Sequence, residues 1–245
     1  MRFKLIGCEV LYRELCDAVA KAPHAVDVEF LSKGLHDRGG AGMRAELQER
    51  IDAVDGKAYS AVLLGYALCG NGLDGLVARS IPLVAPRAHD CIALLLGSRR
   101  RYQEYFDAHP GVYYRSTGWL ERGSTLEQLA QLRTGVGYAL EELVSKYGEE
   151  NGRYLFEEFN RYQQAYTQLT FIETGLEPDD SFEQEARREA RERGWSFERL
   201  AGSLRLFRAL VAGEWNPGEF LVVEPGWRIA ASHDDTIIRA ERDIA

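Results

Sequence analysis

No stretch of this chain approaches the roughly 18 consecutive apolar residues that a membrane-crossing helix requires, so no membrane span is expected. The opening MRFKLIGCEVLYREL has a short apolar run with acidic residues close behind it. It lacks the longer apolar core and small-residue cleavage site of a signal peptide. A cytoplasmic protein is the expectation, in a compartment where thiols stay reduced. Basic charge is scarce: 30 Lys and Arg stand against 38 Asp and Glu, a net charge of −8. Nucleic-acid binding, which needs a basic surface to neutralise phosphates, is therefore not expected. The one basic cluster, Arg99-Arg100-Arg101, reads as a solvated helix start. There is no low-complexity segment and no repeat at solenoid period. A Walker loop is missing, because no Gly-Lys-Ser/Thr follows GNGLDG (70–75). That stretch is not the dinucleotide fingerprint either, since it follows a cysteine and lacks a clear acidic strand end downstream.

What remains is an ordinary globular composition. Hydrophobic residues make up 45% of the 245, enough to bury a sizeable core. The first 98 residues alternate between strand and helix patterns. FKLIGCEV (3–10) and AVDVEFLS (25–32) read as strands, and so do YSAVLLGYAL (59–68) and IPLVAP (81–86). Helices are expected over 11–22, closed by Pro23, over 43–54 with Met43, Leu47, Ile51 and Val54 as the apolar stripe, and over 91–98. Lys33 to Gly42 reads as a loop holding His36. Strand, helix, strand, helix with short connections predicts a parallel sheet. The second half differs in texture, with mostly helical pattern over 124–166, interrupted at Gly135-Val136-Gly137. It also holds a strand at 168–175, a charged helix over 179–194, a helix over 203–213 that stops at Gly213, and a last strand at 219–226. The expected fold is α/β, with Rossmann-like parallel sheet layers and helices in two lobes, 1–98 carrying the site and 99–245 helix-rich.

Four cysteines in a reducing compartment read as buried residues, nucleophiles or ligands rather than disulfides. Cys8, Cys69 and Cys91 fall at consecutive strand ends, where open α/β sheets place their ligands. Cys16 lies within the first helix. Three thiolates from three different strand–helix turns form a soft donor set, suited to zinc or to a [4Fe–4S] cluster. The plainer alternative is three cysteines packed as small hydrophobes. Against it, Cys69 adjoins Gly70-Asn71-Gly72 and Cys91 adjoins His89-Asp90, which are polar turns. His89, two residues before Cys91, is a candidate fourth ligand, acid/base or orienting group, or simply a histidine bonding a turn. Asp90 is a candidate N-cap, which would put Cys91 in a first helical turn that lowers thiol pKa. Gly70, Asn71 and Gly72 can offer backbone N–H groups to an anion or a cluster sulfide, or can form an ordinary turn. Glu9 and Arg87 are candidates to orient a small polar substrate, or else a structural ion pair. Tyr66, Tyr113, Tyr114 and Trp119 either wall a pocket or fill the core.

Several stretches resemble a known family: CEVLYREL (8–15), LLGYALCGNGLDGL (63–76), PRAHDCIALLLGS (86–98), TGWLERG (117–123), TFIETG (170–175) and GEFLVVEPG (218–226). The chain looks like bacterial and archaeal proteins of domain-of-unknown-function family 1638. The resemblance implies that Cys8, Cys69 and Cys91 belong to the family pattern, with His36 and His89 as further matches. It also implies a setting near corrinoid-dependent methyltransferase systems and thus a role in one-carbon metabolism. The leading expectation is a metal-dependent transferase or lyase acting on a small molecule. The rivals are an accessory or carrier protein for a corrinoid methyltransferase, and a metal-free cysteine enzyme with Cys91 as nucleophile.

Overall fold

Strand and helix alternate from the first residues, in a computed structural model that describes residues 1–122, 144–145, 148–154, 165–232 and 234–243. β1 (Arg2–Cys8) runs through one 3-10 turn (Glu9–Leu11) into α1 (Tyr12–Ala20). β2 (Ala25–Leu31) leads through a longer 3-10 segment (Lys33–Arg38) into α2 (Gly39–Asp52). β3 (Ala61–Gly65), β4 (Leu83–Pro86) and α3 (Cys91–Leu95) follow. The Lys33–Gly42 stretch expected as a loop is thus mostly regular. Ser32 caps the 3-10 segment by accepting from the Gly34 amide at 3.2 Å, and α2 begins at Gly39 rather than at residue 43.

These strands lie in one five-stranded sheet, ordered β2-β1-β3-β4-β8, with β8 at Phe220–Val223. The pairs β1–β2, β1–β3 and β3–β4 are parallel, so the expected α/β sheet is present. Every residue of β3 is buried, which explains its unbroken apolar run. β8 pairs antiparallel with β4, making the sheet mixed rather than wholly parallel. Gly7 and Gly65 are partners in the β1–β3 register. A Cβ built on either would stand 2.6 or 2.7 Å from Cδ1 of Leu15, a fully buried residue of α1. Two glycines side by side therefore let α1 lie close on the sheet. Side chains alternate along a strand, so Cys8, next to Gly7, projects to the face opposite Leu15.

A second sheet is ordered β5-β6-β7, from β5 (Val112–Ser116), β6 (Gln168–Glu173) and β7 (Ser196–Ala201). β5 and β6 are parallel. α4 (Arg99–Ala108), α5 (Thr117–Arg122) and α6 (Ser181–Glu192) accompany them in the sequence. Tyr113, Leu169, Phe171, Ala186 and Ala190 form the core of this part. Arg115, 4% exposed, is held by both carboxylate oxygens of Glu189 at 2.8 and 2.9 Å. β7 was not expected from its sequence, SFERLA, whose six residues are all at least partly exposed.

α7 (Arg205–Ala212) ends at Gly213, which takes the left-handed conformation at φ 75°, as the sequence predicts. The 219–226 strand is not the last: β9 (Trp227–Ala231) and β10 (Ile238–Arg242) form an antiparallel hairpin after it. Contacts divide the chain into two units, one of Met1–Tyr105, Thr174–Leu176 and Ala201–Ala245, the other of Phe106–Glu173 and Glu177–Leu200. The division therefore does not fall at 98/99, because β8 returns the end of the chain to the first sheet. The expected Gly135-Val136-Gly137 interruption, Lys146-Tyr147, Tyr162, His233 and most of the helical pattern over 124–166 lie outside the described residues. Among the described residues, no helix is long and apolar enough to cross a membrane.

Candidate functional site at the carboxyl edge of the first sheet

The carboxyl ends of β1, β3 and β4 lie next to one another in the sheet, about 4.8 Å apart per strand. Cys8 is the last residue of β1 and is 3% exposed. Burial pushes its thiol up to about 12, against a smaller lowering by a hydrogen bond from the Val10 amide. Its Sγ lies 3.9 Å from Nε2 of His36, which the 3-10 segment carries to this edge. That segment is tied to the end of β1 by Glu9, whose Oε1 accepts from the Lys33 amide at 2.7 Å. Glu9 thus fixes the His36 segment against the strand end, a structural role for a carboxylate expected to meet substrate.

β3 ends at Gly65, earlier than the sequence pattern suggests, and Cys69 stands four residues beyond it. What holds Cys69 in place is the neighbouring connection. The Leu68 amide donates to Ala88 O and the Cys69 amide to His89 O, each at 2.9 Å. The chain then turns through Cys69, Gly70 and Asn71 at φ 46°, 65° and 67°, three successive left-handed residues. Such a conformation costs an L-residue about 1–2 kcal/mol, and Cys69 adopts it without being glycine or asparagine. Gly40, at the start of α2, packs on this turn, where a Cβ would stand 2.8 Å from Gly70 O. Gly72 donates its amide to Leu68 O at 2.8 Å, so that one of the three expected ligand-facing amides closes the turn instead.

Cys91 opens α3 and is 9% exposed. Asp90 is the N-cap, as predicted, accepting from the Ile92 and Ala93 amides at 3.0 and 3.2 Å. Its second oxygen accepts from the Tyr102 hydroxyl at 3.0 Å. His89 is exposed, and its carbonyl accepts the hydrogen bond from the Cys69 amide. Arg87 turns to the end of the chain. Its guanidinium donates to Pro217 O at 2.8 Å, to Thr236 O at 3.0 Å and to Ile238 O. It is a tether of β8 and the final hairpin, not a group held ready for substrate.

Tyr66, one residue past β3, is 1% exposed, and its hydroxyl has no hydrogen-bond partner among the described residues. Burial first, then the nearby Cys8, Cys69, Glu9 and Glu46, push its ionisation well above the usual tyrosine range. A buried hydroxyl beside two thiols, with nothing to bond, marks this edge as polar inside. The apolar run 59–68 gives no hint of that and reads as core.

The edge therefore gathers Cys8, His36, Tyr66 and the Cys69 turn, with Cys91 just beyond the 88–89 link. None of the four cysteines forms a disulfide. Among the described residues, no three His, Cys, Asp or Glu side chains stand in a metal-ligating arrangement. The donor types fit zinc or a cluster, and the backbone brings them to one edge, while the side chains are not gathered around a single point. A family model described as "Protein of unknown function (DUF1638)" matches residues 30–211. Cys69, Cys91 and His36 lie inside that span, and Cys8 and the 218–226 strand outside it. No curated protein and no solved structure matches the chain.

Proposed function

We propose that this chain, which belongs to the DUF1638 family of proteins of unknown function, is a metal–thiolate protein acting on a small molecule at the carboxyl edge of its first sheet. Cys8, Cys69 and Cys91, with His36, are the residues that would hold zinc or a [4Fe–4S] cluster. The observation that carries this reading is the approach of Cys8 Sγ to His36 Nε2 at 3.9 Å, on the edge that the Cys69–His89 backbone bond ties to the Cys91 connection. Thiolate and imidazole are the donors zinc takes, and three thiolates suit a cluster with one open iron. The Leu68–Ala88 and Cys69–His89 backbone bonds fix the Cys69 turn to the connection that leads into Cys91.

When bound, such a group supplies Lewis acidity toward a substrate thiol, water or carbonyl. The chain supplies the rest. Glu9 and the Ser32 cap hold the His36 segment in register with the end of β1. Burial keeps Cys8 protonated at neutral pH when nothing offsets it, which disfavours Cys8 as an unassisted nucleophile. His89 is exposed while Cys91 is buried, and a two-residue Cys–His spacing is a poor dyad unless the loop bends, which ranks the metal-free cysteine enzyme below the metal reading. A one-carbon setting with a corrinoid methyltransferase as partner rests on the family resemblance alone. A cytoplasmic setting accords with four cysteines that form no disulfide.

The test is metal and acid-labile sulfide analysis of protein purified without oxygen, for wild type, Cys69→Ala and Cys16→Ala. Metal present in wild type and Cys16→Ala but lost in Cys69→Ala supports the reading. Iron with sulfide identifies a cluster, and zinc alone a Lewis-acid site. A folded wild type free of metal overturns it.

A further inference from the structure

We infer that a cavity beside the thiol edge is a binding site for a small organic carboxylate, one charged group on an apolar body. The cavity, about 370 Å³, opens between the end of β2, the 3-10 segment and the middle of α2. That volume lies within the roughly 300–1,000 Å³ of small-molecule sites. Phe30, Leu31 and Leu35 form its apolar wall, and Arg38, Glu46 and Arg50 its charged one.

The charged wall has more cation than anion. Glu46 bridges the two arginines, accepting from Arg50 at 2.7 Å and from Arg38 at 3.3 Å. Behind them, Glu29 pairs with Lys4 at 2.8 Å and lies 3.7 Å from Arg50 Nε. Among the lining residues, Arg38 and Arg50 against the single carboxylate Glu46 leave one positive charge in excess, while Glu29 and Glu49 also act on Arg50. The Arg50 Nε–H is buried and has no hydrogen-bond partner among the described residues. The 3.7 Å to Glu29 is too long to count as one. A single carboxylate, Glu46, cannot fill the forks of two guanidinium groups. A carboxylate entering the cavity would meet the terminal N–H groups of Arg38 and Arg50 that Glu46 leaves open, its two oxygens matching the planar donor pair of an arginine. One negative charge also matches the single excess positive charge, whereas a phosphate dianion would face Glu46. The Phe30 and Leu35 side would cover an apolar body.

The cavity shares its wall with the thiol edge. Leu31 pairs with Cys8 in the β1–β2 register, and Leu35 immediately precedes His36. A carboxylate held here has its apolar body against Leu31 and Leu35, the residues that adjoin Cys8 and His36. That second statement rests on the function proposed above, and the binding itself does not.

The experiment follows amide NMR shifts of the metal-free protein titrated with sodium benzoate and, separately, with inorganic phosphate. The proteins are wild type, Arg38→Gln, Arg50→Gln and Cys69→Ala. The expected result is saturable benzoate binding with shifts in residues 30–38 and 46–50. Arg50→Gln should weaken it about tenfold or more, and Arg38→Gln, a change at an exposed side chain that leaves the fold intact, should do the same. Cys69→Ala should bind as wild type does, which separates this site from the metal reading. No saturable shift at millimolar benzoate overturns the proposal. So does binding indifferent to Arg38→Gln, or phosphate binding without benzoate binding. Benzoate that binds without slowing alkylation of Cys8 removes the link to the thiol edge.

Discussion

Removing the Tyr66 hydroxyl should make the metal-free protein more stable. Tyr66 is 1% exposed, and its hydroxyl lacks a hydrogen-bond partner among the described residues. A buried polar group left without a bond costs about 1–3 kcal/mol of desolvation. Tyr66→Phe removes that cost and no bond. The void left by one oxygen is on the order of 10 Å³, which offsets only about 0.2 kcal/mol at the usual cost per volume. The expected net gain is about 1–3 kcal/mol. In a chain of this size each kcal/mol raises Tm by roughly 2–4 °C. Urea unfolding of wild type and variant, both stripped of metal, measures it as a shift in midpoint at constant slope. A Tyr66→Phe protein less stable than wild type would refute the reasoning, because the hydroxyl would then hold a bond in the folded chain. The same comparison on loaded protein is informative in sign. A gain that vanishes on loading means that the hydroxyl bonds to what the edge holds.

Two further outcomes follow from the same part of the fold. Gly65→Ala should destabilise the protein by about 1–3 kcal/mol through overpacking against Leu15, whose Cδ1 lies 2.7 Å from the added Cβ. Leu15→Ala in the same chain should cost less than it does alone, as a double-mutant cycle of denaturant midpoints would show. Cys8 should make the metal-free protein sensitive to alkali, because burial raises its thiol from 9.0 to about 12. The folded state holds this proton more tightly than the unfolded chain does. The resulting stability is whole below pH 9 and lost as pH rises toward about 12, by about 4 kcal/mol at most. Stability measured from about pH 8 to about pH 11 should fall more steeply for wild type than for Cys8→Ala. Parallel slopes would place Cys8 outside the buried edge.

The parts of this fold legible in the sequence are those set by local chemistry. Asp90 caps α3 and Gly213 stops α7, each fixed by residues within a few positions. The placement of Cys8 at the end of β1, and of Cys69 and Cys91 past β3 and β4, was legible from the alternation of strand and helix patterns. What was not legible depends on pairing across long separations. Nothing in FLVV announces that it will pair antiparallel with LVAP from more than a hundred residues away. Arg87 looked like a site cation because its partners are backbone carbonyls of Pro217, Thr236 and Ile238, which leave no trace in side-chain type. The Cys8–His36 approach spans 28 positions and depends on a 3-10 segment that, with the glycines following it, reads as loop. Tyr66 sits in an apolar run, and only its buried, bondless hydroxyl separates it from core.

The pairing of β4 with β8 also bears on how the chain is made. The first sheet needs residues 220–223 to cover β4, while the second unit is complete by residue 200. During synthesis from the N-terminus, the strands that carry the cysteines emerge first, and one edge of their sheet stays open until most of the chain has left the ribosome. The second unit has all its residues earlier, so it can close while the first still waits for its last strand. Until β8 arrives, the β4 edge presents unpaired backbone groups, the kind of edge that invites pairing with another chain.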